Sequence, residues 1–545
     1  MHGLMMETPL LVSSLIKHAA LNHGEREVIS RTTEGKIHRT NYSEVEKRAK
    51  QLANALVRID IKSGDRVGTL AWNGYRHLEL YYALSGMGAV LHTLNPRLFP
   101  EQLAYIINHA EDQYLFVDTT FVSLAEGLSQ HLETVRGFVV MADESEMPDN
   151  NLPNTVSYEA LISEESSDYS WPTIDENAAS SMCYTSGTTG NPKGVVYSHR
   201  STVLHSMTAC QADVMGISCL DAIMPVVPMF HVNAWGIPYA AALSGAKLVL
   251  PGPRMDGPAL HELIESEGVT ITAGVPTVWL MLLAYLDETG GTLETLERVV
   301  AGGSAVPRSM IKKFEEKYEV RMIHAWGMTE VSPLGTVGTF KPYMCDLSAD
   351  ERYDVQEKQG KILPGVEMKV VDDKGTALPR DGQSVGNLKV RGPWVCRTYF
   401  KNEGTDAFDS DGWFDTGDVS TLDQHGFMHI VDRTKDVIKS GGEWISSIML
   451  ENIAVDHPAI AEACVVNIPH PKWDERPLLL VVRADEIYID RETLLEHYAD
   501  KVAKWWVPDD VVFVEDLPHT GTGKLLKSDI RSAYKDHFSS NKTEE

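Results

Sequence analysis

The feature that most constrains the fold is an alternation of strand-like and helix-like segments along most of the chain. Short apolar runs such as AKLVLPG (246–252) and RVVAGG (298–303) are typical of buried strands. A helical stripe of apolar residues fills 43–56, where Ser43 and Glu46 form a capping-box pattern. This alternation predicts an α/β fold with largely parallel sheets, in which ligands bind at loops beyond the strand ends.

The pattern changes after about residue 345. Residues 361–392 contain short alternating strands and frequent Gly, Pro and Asp turns, which predict a β-rich subdomain. A charged run follows in VDRTKD (431–436), and another α/β pattern continues to the end. We therefore predict a domain over residues 1–432, a hinge over 433–436 and a C-terminal domain over 437–545.

Charge and cysteine content exclude several classes of protein. The 545 residues carry 49 Lys and Arg against 77 Asp and Glu, a net charge of −28, which argues against a nucleic-acid partner. The six scattered cysteines contain no CxxC pair and predict reduced thiols. The first residues lack a signal-peptide pattern, and no apolar run reaches the length of a membrane span, so we expect a cytoplasmic protein without an integral membrane segment.

The segment SMCYTSGTTGNPKGVVYSH (181–199) concentrates glycines and hydroxyl side chains around one lysine. It does not match the GxxxxGK[ST] phosphate loop, because Pro192 precedes Lys193 and Gly194 follows it. Glycine amides, hydroxyl donors and a lysine can nevertheless hold a phosphate. A surface loop with an unrelated lysine is the alternative.

The stretch YTSGTTGNPKGV (184–195) resembles the phosphate-loop signature of the adenylate-forming family, which includes acyl-CoA synthetases, luciferases and peptide-synthetase adenylation domains. Further segments are similar to the family's other motifs and occur in the expected order, so the resemblance extends over roughly residues 10–535. They are VPMFHVNAWG (227–236), VAGGSAVP (300–307), HAWGMTE (324–330), WFDTGD (413–418), VDRTKDVIKSGGEWIS (431–446) and LPHTGTGKLLK (517–527).

The resemblance implies a large N-terminal domain of two stacked α/β sheets plus a β-rich subdomain, and a small, mobile α+β C-terminal domain. It also implies ATP, CoA and Mg²⁺, with Thr185 and Glu330 at the metal. The catalytic residues it implies are Lys524, His231, Glu330 and the hinge residue Lys435. The implied ATP and AMP contacts are Thr185, Ser186, Gly187, Thr188, Thr189, Gly190, Lys193, Gly303, Ser304, Ala325, Trp326, Gly327, Met328, Thr329, Asp418, Arg433 and Lys439. The implied acyl pocket consists of His231, Trp235, Gly302 and Pro333, and the implied CoA contacts are Gly441, Gly442, Glu443 and Trp444.

These residue types suit the implied chemistry. A carboxylate that attacks the α-phosphorus of ATP must approach several negative charges, which Lys524 and Mg²⁺ would offset. Asp418 can accept both ribose hydroxyls. His231 and Trp235 stand four residues apart, which predicts that they share one helical face. Core packing remains the alternative for His231, Trp235 and Trp444, and a solvated side chain is the alternative for Lys439. No motif of the family assigns a nucleophilic role to Cys183, so core packing is expected for this residue.

Three features select a branch of the family. No carrier-domain serine motif follows residue 535, the segment 227–236 has no acidic residue for an amino acid's ammonium, and SGGEW (440–444) resembles fatty-acyl-CoA synthetases. Residues 91–112 resemble the medium- and long-chain acyl-CoA branch and ligases of 3-methylthiopropionate. The implied protein is a homodimeric acyl-CoA ligase for a short- or medium-chain acid or 3-methylthiopropionate. Long-chain acids, a non-CoA acceptor, a luciferase-like oxidation and an inactive nucleotide-binding homologue are the alternatives.

Overall fold

The computed structural model describes residues 1–185, 191–441, 443–484, 488–519 and 525–538, with Glu443 described by its backbone only. The chain divides into two compact units. The first contains residues 1–367 and 391–414, and the second contains residues 368–390 and 415–545.

Twelve of the helices in the described ranges belong to the first unit and three to the second. The helices are α1 Val12–Asn22, α2 Tyr42–Arg58, α3 Tyr75–Met87, α4 Pro100–Ala110, α5 Val122–Ser129, α6 Tyr158–Ile162, α7 His199–Ala209, α8 Ile237–Ser244, α9 Gly257–Glu267, α10 Pro276–Thr289, α11 Arg308–Lys312, α12 Ala349–Gln356, α13 Ser447–Val455, α14 Arg491–Glu496 and α15 Lys527–Ala533.

The strands of the first unit are β1 Glu27–Arg31, β2 Ile37–Asn41, β3 Arg66–Leu70, β4 Val90–Thr93, β5 Asp112–Val117, β6 Gly137–Val140, β7 Thr155–Ser157, β8 Ala179–Thr185, β9 Lys193–Ser198, β10 Ala222–Pro225, β11 Lys247–Leu250, β12 Ile271–Gly274, β13 Arg298–Gly302, β14 Arg321–Gly327, β15 Leu334–Val337 and β16 Lys361–Ile362. Those that lie wholly or all but one residue in the second unit are β17 Glu367–Val371, β18 Gly386–Arg391, β19 Phe414–Leu422, β20 Met428–Arg433, β21 Ile438–Ser440, β22 Glu443–Ile445, β23 Ile460–His470, β24 Asp474–Arg483 and β25 Asp510–Val514.

The first unit is built on two α/β sheets. One has nine strands in the order β16-β15-β14-β13-β12-β10-β11-β1-β2, and the other has seven in the order β7-β6-β5-β3-β4-β8-β9. Helix α3 contacts β1 of the first sheet and β4 and β8 of the second, and all thirteen of its residues are buried. The two sheets therefore stack with α3 between them, as the resemblance implies.

Both large sheets are mainly parallel, with antiparallel additions toward their edges. In the seven-stranded sheet, β9 folds back antiparallel onto β8. In the nine-stranded sheet, β15 folds back antiparallel onto the parallel strand β14. The predicted phosphate loop lies between the antiparallel strands β8 and β9, and the predicted nucleotide motif 324–330 lies at the turn between β14 and β15.

The second unit contains two smaller sheets. Strands β17 to β20 form a four-stranded sheet in sequence order. The other sheet has the order β22-β21-β24-β23, with β25 pairing parallel to β24. The β-rich subdomain that we expected in the N-terminal domain falls in this second unit. The domain limits at 432 and the hinge at 433–436 stay predictions.

The predicted α/β class is confirmed, but one local prediction is wrong. Helix α2 begins at Tyr42, and its N-cap is Asn41, whose side chain accepts a hydrogen bond from the Glu44 amide. The cap therefore precedes Ser43, because β2 ends at Asn41 and the chain enters the helix directly. All six cysteines lie in described ranges and are free thiols. Within those ranges no helix combines the length and apolar character needed to cross a bilayer.

Candidate functional site

The hairpin of β8 and β9 frames the predicted phosphate loop. Thr185 ends β8 and lies in register with Lys193, the first residue of β9. Gly194 follows in a crowded position, where a Cβ atom would lie 3.1 Å from the Tyr184 ring and 3.1 Å from Phe400 Cβ. The hairpin therefore brings Thr185 and Lys193 together at the mouth of the loop. Several predicted site residues lie outside the described residues, namely Ser186, Gly187, Thr188, Thr189, Gly190, Gly442, Lys524 and the side chain of Glu443.

Tyr399 connects the loop lysine to the predicted metal carboxylate. The Lys193 Nζ lies 5.1 Å from the centre of the Tyr399 ring. The Tyr399 hydroxyl donates a hydrogen bond to Glu330 Oε1 at 2.6 Å. Burial and the neighbouring Glu330 charge raise the pKa of Tyr399, so the phenol stays protonated and continues to donate. Tyr399 thus contacts both a predicted ATP-binding residue, Lys193, and the predicted metal carboxylate, Glu330.

The turn after β14 carries the predicted nucleotide motif. Ala325, Trp326 and Gly327 end the strand, and the buried Thr329 and Glu330 lie in a short 3₁₀ turn over Thr329–Val331. Close backbone approach requires glycine at 327, because a Cβ there would lie 2.3 Å from the Pro333 carbonyl oxygen.

Neighbouring elements hold this turn in place. The Met328 amide donates to the Pro333 carbonyl at 3.1 Å, and the Tyr197 hydroxyl of β9 donates to the Thr329 carbonyl at 2.8 Å. The Cys396 amide donates to the Glu330 carbonyl at 2.8 Å. The Glu330 carboxylate is therefore positioned by bonds on both sides of its own residue.

The segment 231–236 is not an α-helix, so the predicted shared helical face of His231 and Trp235 is wrong. Residues 232–235 have φ between 43° and 55°, and Gly236 has φ 73°. Left-handed backbone is costly for non-glycine residues and persists only when surrounding contacts impose it. His231, with φ −125°, stands before this left-handed turn, and Trp235 stands inside it.

Asn233 supplies the contacts that impose this turn. Its Oδ1 accepts hydrogen bonds from the Thr93 hydroxyl at 3.2 Å and the Cys183 thiol at 3.1 Å. Its Nδ2 donates to the Ser181 hydroxyl at 2.5 Å. Cys183 is buried and donates to Asn233, and burial raises the pKa of its thiol to about 11, which agrees with the expected packing role. Strand β8 therefore positions the turn of the predicted acyl pocket, and it ends at Thr185, the first described residue of the predicted metal and ATP group.

Trp235 meets the end of β13. A Cβ atom on Gly302 would lie 3.2 Å from Trp235 Cη2 and 2.7 Å from the Ala325 carbonyl oxygen, so only glycine allows this approach. Gly303 has φ +90°, and Ser304 is exposed beyond it. The structure thus brings the predicted acyl residues Trp235 and Gly302 into contact beside the predicted nucleotide strand.

Asn73 fixes the start of the predicted acyl-pocket segment. This fully buried side chain donates to the carbonyls of Pro225 at 2.8 Å and Val227 at 2.9 Å. It also accepts a hydrogen bond from the Met229 amide at 2.7 Å. One side chain therefore satisfies three backbone groups just before His231.

The second unit contains the predicted ribose pair. Asp418 of β19 and Arg433 of β20 are cross-strand partners. Arg433 Nε lies 2.8 Å from Asp418 Oδ1, and Asp418 is only 1% exposed. The arginine compensates the buried carboxylate and orients it.

The other predicted residues of the second unit flank its hairpin of β21 and β22. Lys435 is exposed between β20 and β21. Lys439 is paired with Trp444 across the hairpin, and its Nζ lies 5.4 Å from the indole. Gly441 has φ +59°, and a Cβ there would lie 3.1 Å from the Trp473 ring. The hairpin thus brings together the described members of the predicted CoA group.

Three residues that hold the predicted site residues or their segments in place were not predicted from the sequence. Asn233 interrupts an otherwise apolar run and Asn73 ends one, and a polar residue in such a place is a weak signal for a buried hydrogen-bonding side chain. Tyr399 has no local signal, because its partner Glu330 lies 69 residues away.

Comparisons with known proteins identify the family. A family model described as AMP-binding enzyme matches residues 16–400, and one described as AMP-binding enzyme C-terminal domain matches residues 449–524. The chain is 54% identical over 536 residues to a 3-methylmercaptopropionyl-CoA ligase of Ruegeria lacuscaerulensis, covering 98% of this chain and 99% of the relative. It is 53% identical over 536 residues to a medium-chain-fatty-acid–CoA ligase of Ectopseudomonas oleovorans, covering 98% of both chains.

A solved structure agrees in fold. The anthranilate CoA ligase AuaEII in complex with anthranoyl-AMP superimposes with a TM-score of 0.86 at 23% identity, covering 98% of this chain and 99% of that chain. At this identity the similarity shows the fold alone. The family models and the two close relatives carry the assignment: the chain belongs to the AMP-binding enzyme family and is an acid–thiol ligase.

Proposed function

We propose that this ligase joins a short- or medium-chain fatty acid, or 3-methylthiopropionate, to CoA through an acyl-adenylate made from ATP. The observation that carries the proposal is the tight approach of Trp235 to Gly302 at the end of β13. Trp235 follows an apolar segment without a carboxylate, which suits an acyl chain and not an ammonium group. The two relatives named for 3-methylmercaptopropionate and for medium-chain acids support this substrate range.

The proposed reaction has two displacements. First, an oxygen of the substrate carboxylate forms a bond to the α-phosphorus of ATP, and the bond to pyrophosphate breaks. Next, the CoA sulfur forms a bond to the acyl carbon and releases its proton to solvent, and the bond between that carbon and the AMP phosphate oxygen breaks. Lys524 would offset charge in the first step, and the Gly441–Trp444 turn would meet CoA in the second. Asp418 and Arg433 would hold the ribose, and Lys435 would be the hinge about which the C-terminal domain rearranges.

The residues predicted at the metal fit Mg²⁺. A carboxylate and a hydroxyl are the hard oxygen donors that Mg²⁺ prefers, and one or two protein ligands suffice where phosphates supply the rest. Thr185 and Glu330 would therefore hold it, and when bound it supplies Lewis-acid neutralisation of phosphate charge. The Tyr399 hydroxyl orients Glu330 for this task.

Replacing Tyr399 by phenylalanine is expected to raise the Mg²⁺ concentration needed for half-maximal ATP–pyrophosphate exchange about tenfold. The variant removes the hydrogen bond to the Glu330 carboxylate and keeps the aromatic ring that contacts Lys193. Tyr353→Phe is the matched control, because its hydroxyl donates to Glu316 at 3.1 Å in the same unit. An equal Mg²⁺ requirement in both variants would argue against the orienting role of Tyr399.

A panel of carboxylic acids tests the substrate range. CoA-dependent AMP release is expected to be highest for an acid between C4 and C10 or for 3-methylthiopropionate. An optimum at C16 would show that the substrate is a long-chain acid. AMP release that does not require CoA would show that the acyl group goes to another acceptor. If no acid supported either AMP release or ATP–pyrophosphate exchange, the proposed ligase reaction would be contradicted.

Shortening Trp235 to alanine is expected to move the optimum toward longer or bulkier acids, because it removes the ring that lies against Gly302. The measurement is kcat/KM across the same panel. Trp279→Phe, at a fully buried indole in the core of the nine-stranded sheet, is the control for general loss of packing. An unchanged profile in the Trp235 variant would remove its role in chain-length selection.

We also propose a homodimer that acts in the cytoplasm. The dimer follows from the resemblance to the fatty-acyl branch, and light scattering at several protein concentrations tests it. Free thiols at all six cysteines suit a reducing compartment that supplies ATP and CoA.

A further inference from the structure

Helix α15 begins three residues after Lys524 and lies against the predicted hinge. Its first residue, Lys527, is anchored in the second unit. The Lys527 Nζ lies 2.7 Å from Glu451 Oε1 and donates to the Ser447 hydroxyl at 2.6 Å. The Ser447 amide in turn donates to the buried carboxylate of Asp432, just before the hinge, at 2.5 Å. The start of α15 is thereby tied to the end of β20.

Arg531 stands four residues after Lys527 on the same face of α15. Its guanidinium donates to the backbone carbonyl of Lys435 and, at 2.9 Å, to Asp436 Oδ1. It also donates to Asn467 Oδ1 at 2.7 Å. Two of these three acceptors belong to the hinge segment itself. A planar guanidinium holds such acceptors in one relative geometry.

The hydrogen bonds continue from Arg531 to the strand before the predicted CoA turn. Asn467 Nδ2 donates to Glu475 Oε1 at 2.9 Å. Glu475 Oε2 accepts a hydrogen bond from the Lys439 amide of β21 at 2.8 Å. One network therefore joins α15, the hinge and β21 within the second unit.

We propose that Arg531 is a positioning residue that holds residues 435–436 in the backbone conformation seen here and thereby sets the balance between the two half-reactions. The proposal rests on the proposed function. A hinge works by changing a few backbone dihedrals, which would turn the Lys435 carbonyl and the Asp436 side chain away from a guanidinium fixed on α15. These bonds form in one hinge state and not in the other, so they bias the equilibrium between the two states.

The test compares Arg531→Gln with Arg491→Gln. The control removes an arginine that pairs with Asp510 in the same unit, far along the chain from the hinge. Hydrogen exchange is measured over residues 433–437, where the Asp436 and Val437 amides donate to the Arg433 carbonyl. Acyl-adenylate formation is measured by ATP–pyrophosphate exchange, and thioester formation is measured from synthetic acyl-adenylate and CoA.

The expected result is faster exchange over 433–437 and a ratio of the two half-reaction rates changed about tenfold in Arg531→Gln, with neither change in Arg491→Gln. Arg531→Lys keeps the charge beside Asp436 and is expected to restore part of the ratio. Unchanged exchange over 433–437, or equal losses in both half-reactions, would overturn the proposal. Absence of both half-reactions in the unmodified protein would instead overturn the proposed function, while hydrogen exchange would still decide whether Arg531 holds the hinge.

Discussion

Replacing Lys524 by alanine is expected to slow acyl-adenylate formation about 10²–10³-fold and to leave thioester formation from supplied acyl-adenylate unchanged. The attacking carboxylate and the α-phosphate both carry negative charge, and one fixed ammonium between them would stabilise the transition state more than the separated reactants. ATP–pyrophosphate exchange measures the first half-reaction, and CoA thioester formation measures the second.

Lys535→Ala is the matched control, because it removes another lysine just after α15, one whose side chain is exposed. It is expected to leave both half-reactions intact. If Lys524→Ala slowed both half-reactions equally, the lysine would act on folding or on nucleotide binding in general, and its separate role in adenylation would be wrong.

Replacing Asn73 by alanine is expected to lower the free energy of unfolding of the first unit by about 3–5 kcal/mol. The change leaves the carbonyls of Pro225 and Val227 and the amide of Met229 without their side-chain partner in a fully buried position. Each such group costs about 1–3 kcal/mol when it loses its partner. Denaturant titration followed by tryptophan fluorescence provides the measurement.

Asn151→Ala is the control for this variant, because Asn151 is exposed and, among the described residues, its side chain makes only one long hydrogen bond, of 3.5 Å, to Glu126. Its effect is expected to stay within about 0.5 kcal/mol. Asn73→Asp provides a further comparison, since a carboxylate can still accept from Met229 but cannot donate to the two carbonyls. If both Asn73 variants were as stable as the unmodified protein, the backbone of residues 225–229 would not depend on this side chain.

Helices and strands were predictable where their pattern is local. The apolar runs 246–252 and 298–303 contain β11 and β13, and the stripe after Ser43 belongs to α2. The N-cap of α2 was misplaced because a strand ends directly at Asn41, and a strand end leaves no mark in the capping pattern. The prediction that His231 and Trp235 share one helical face is wrong, because spacing alone cannot distinguish a left-handed turn from a helix.

The sequence by itself determined the fold class, the family and the motif residues, because these depend on residue types in local order. Only the tertiary structure decided what positions those residues. Tyr399 beneath Lys193 and beside Glu330, Asn233 bonded to strand β8, and Trp235 against Gly302 are contacts between segments distant in the chain. Such contacts depend on how sheets and turns pack, and a buried polar group takes whichever partner the packing brings within about 3 Å.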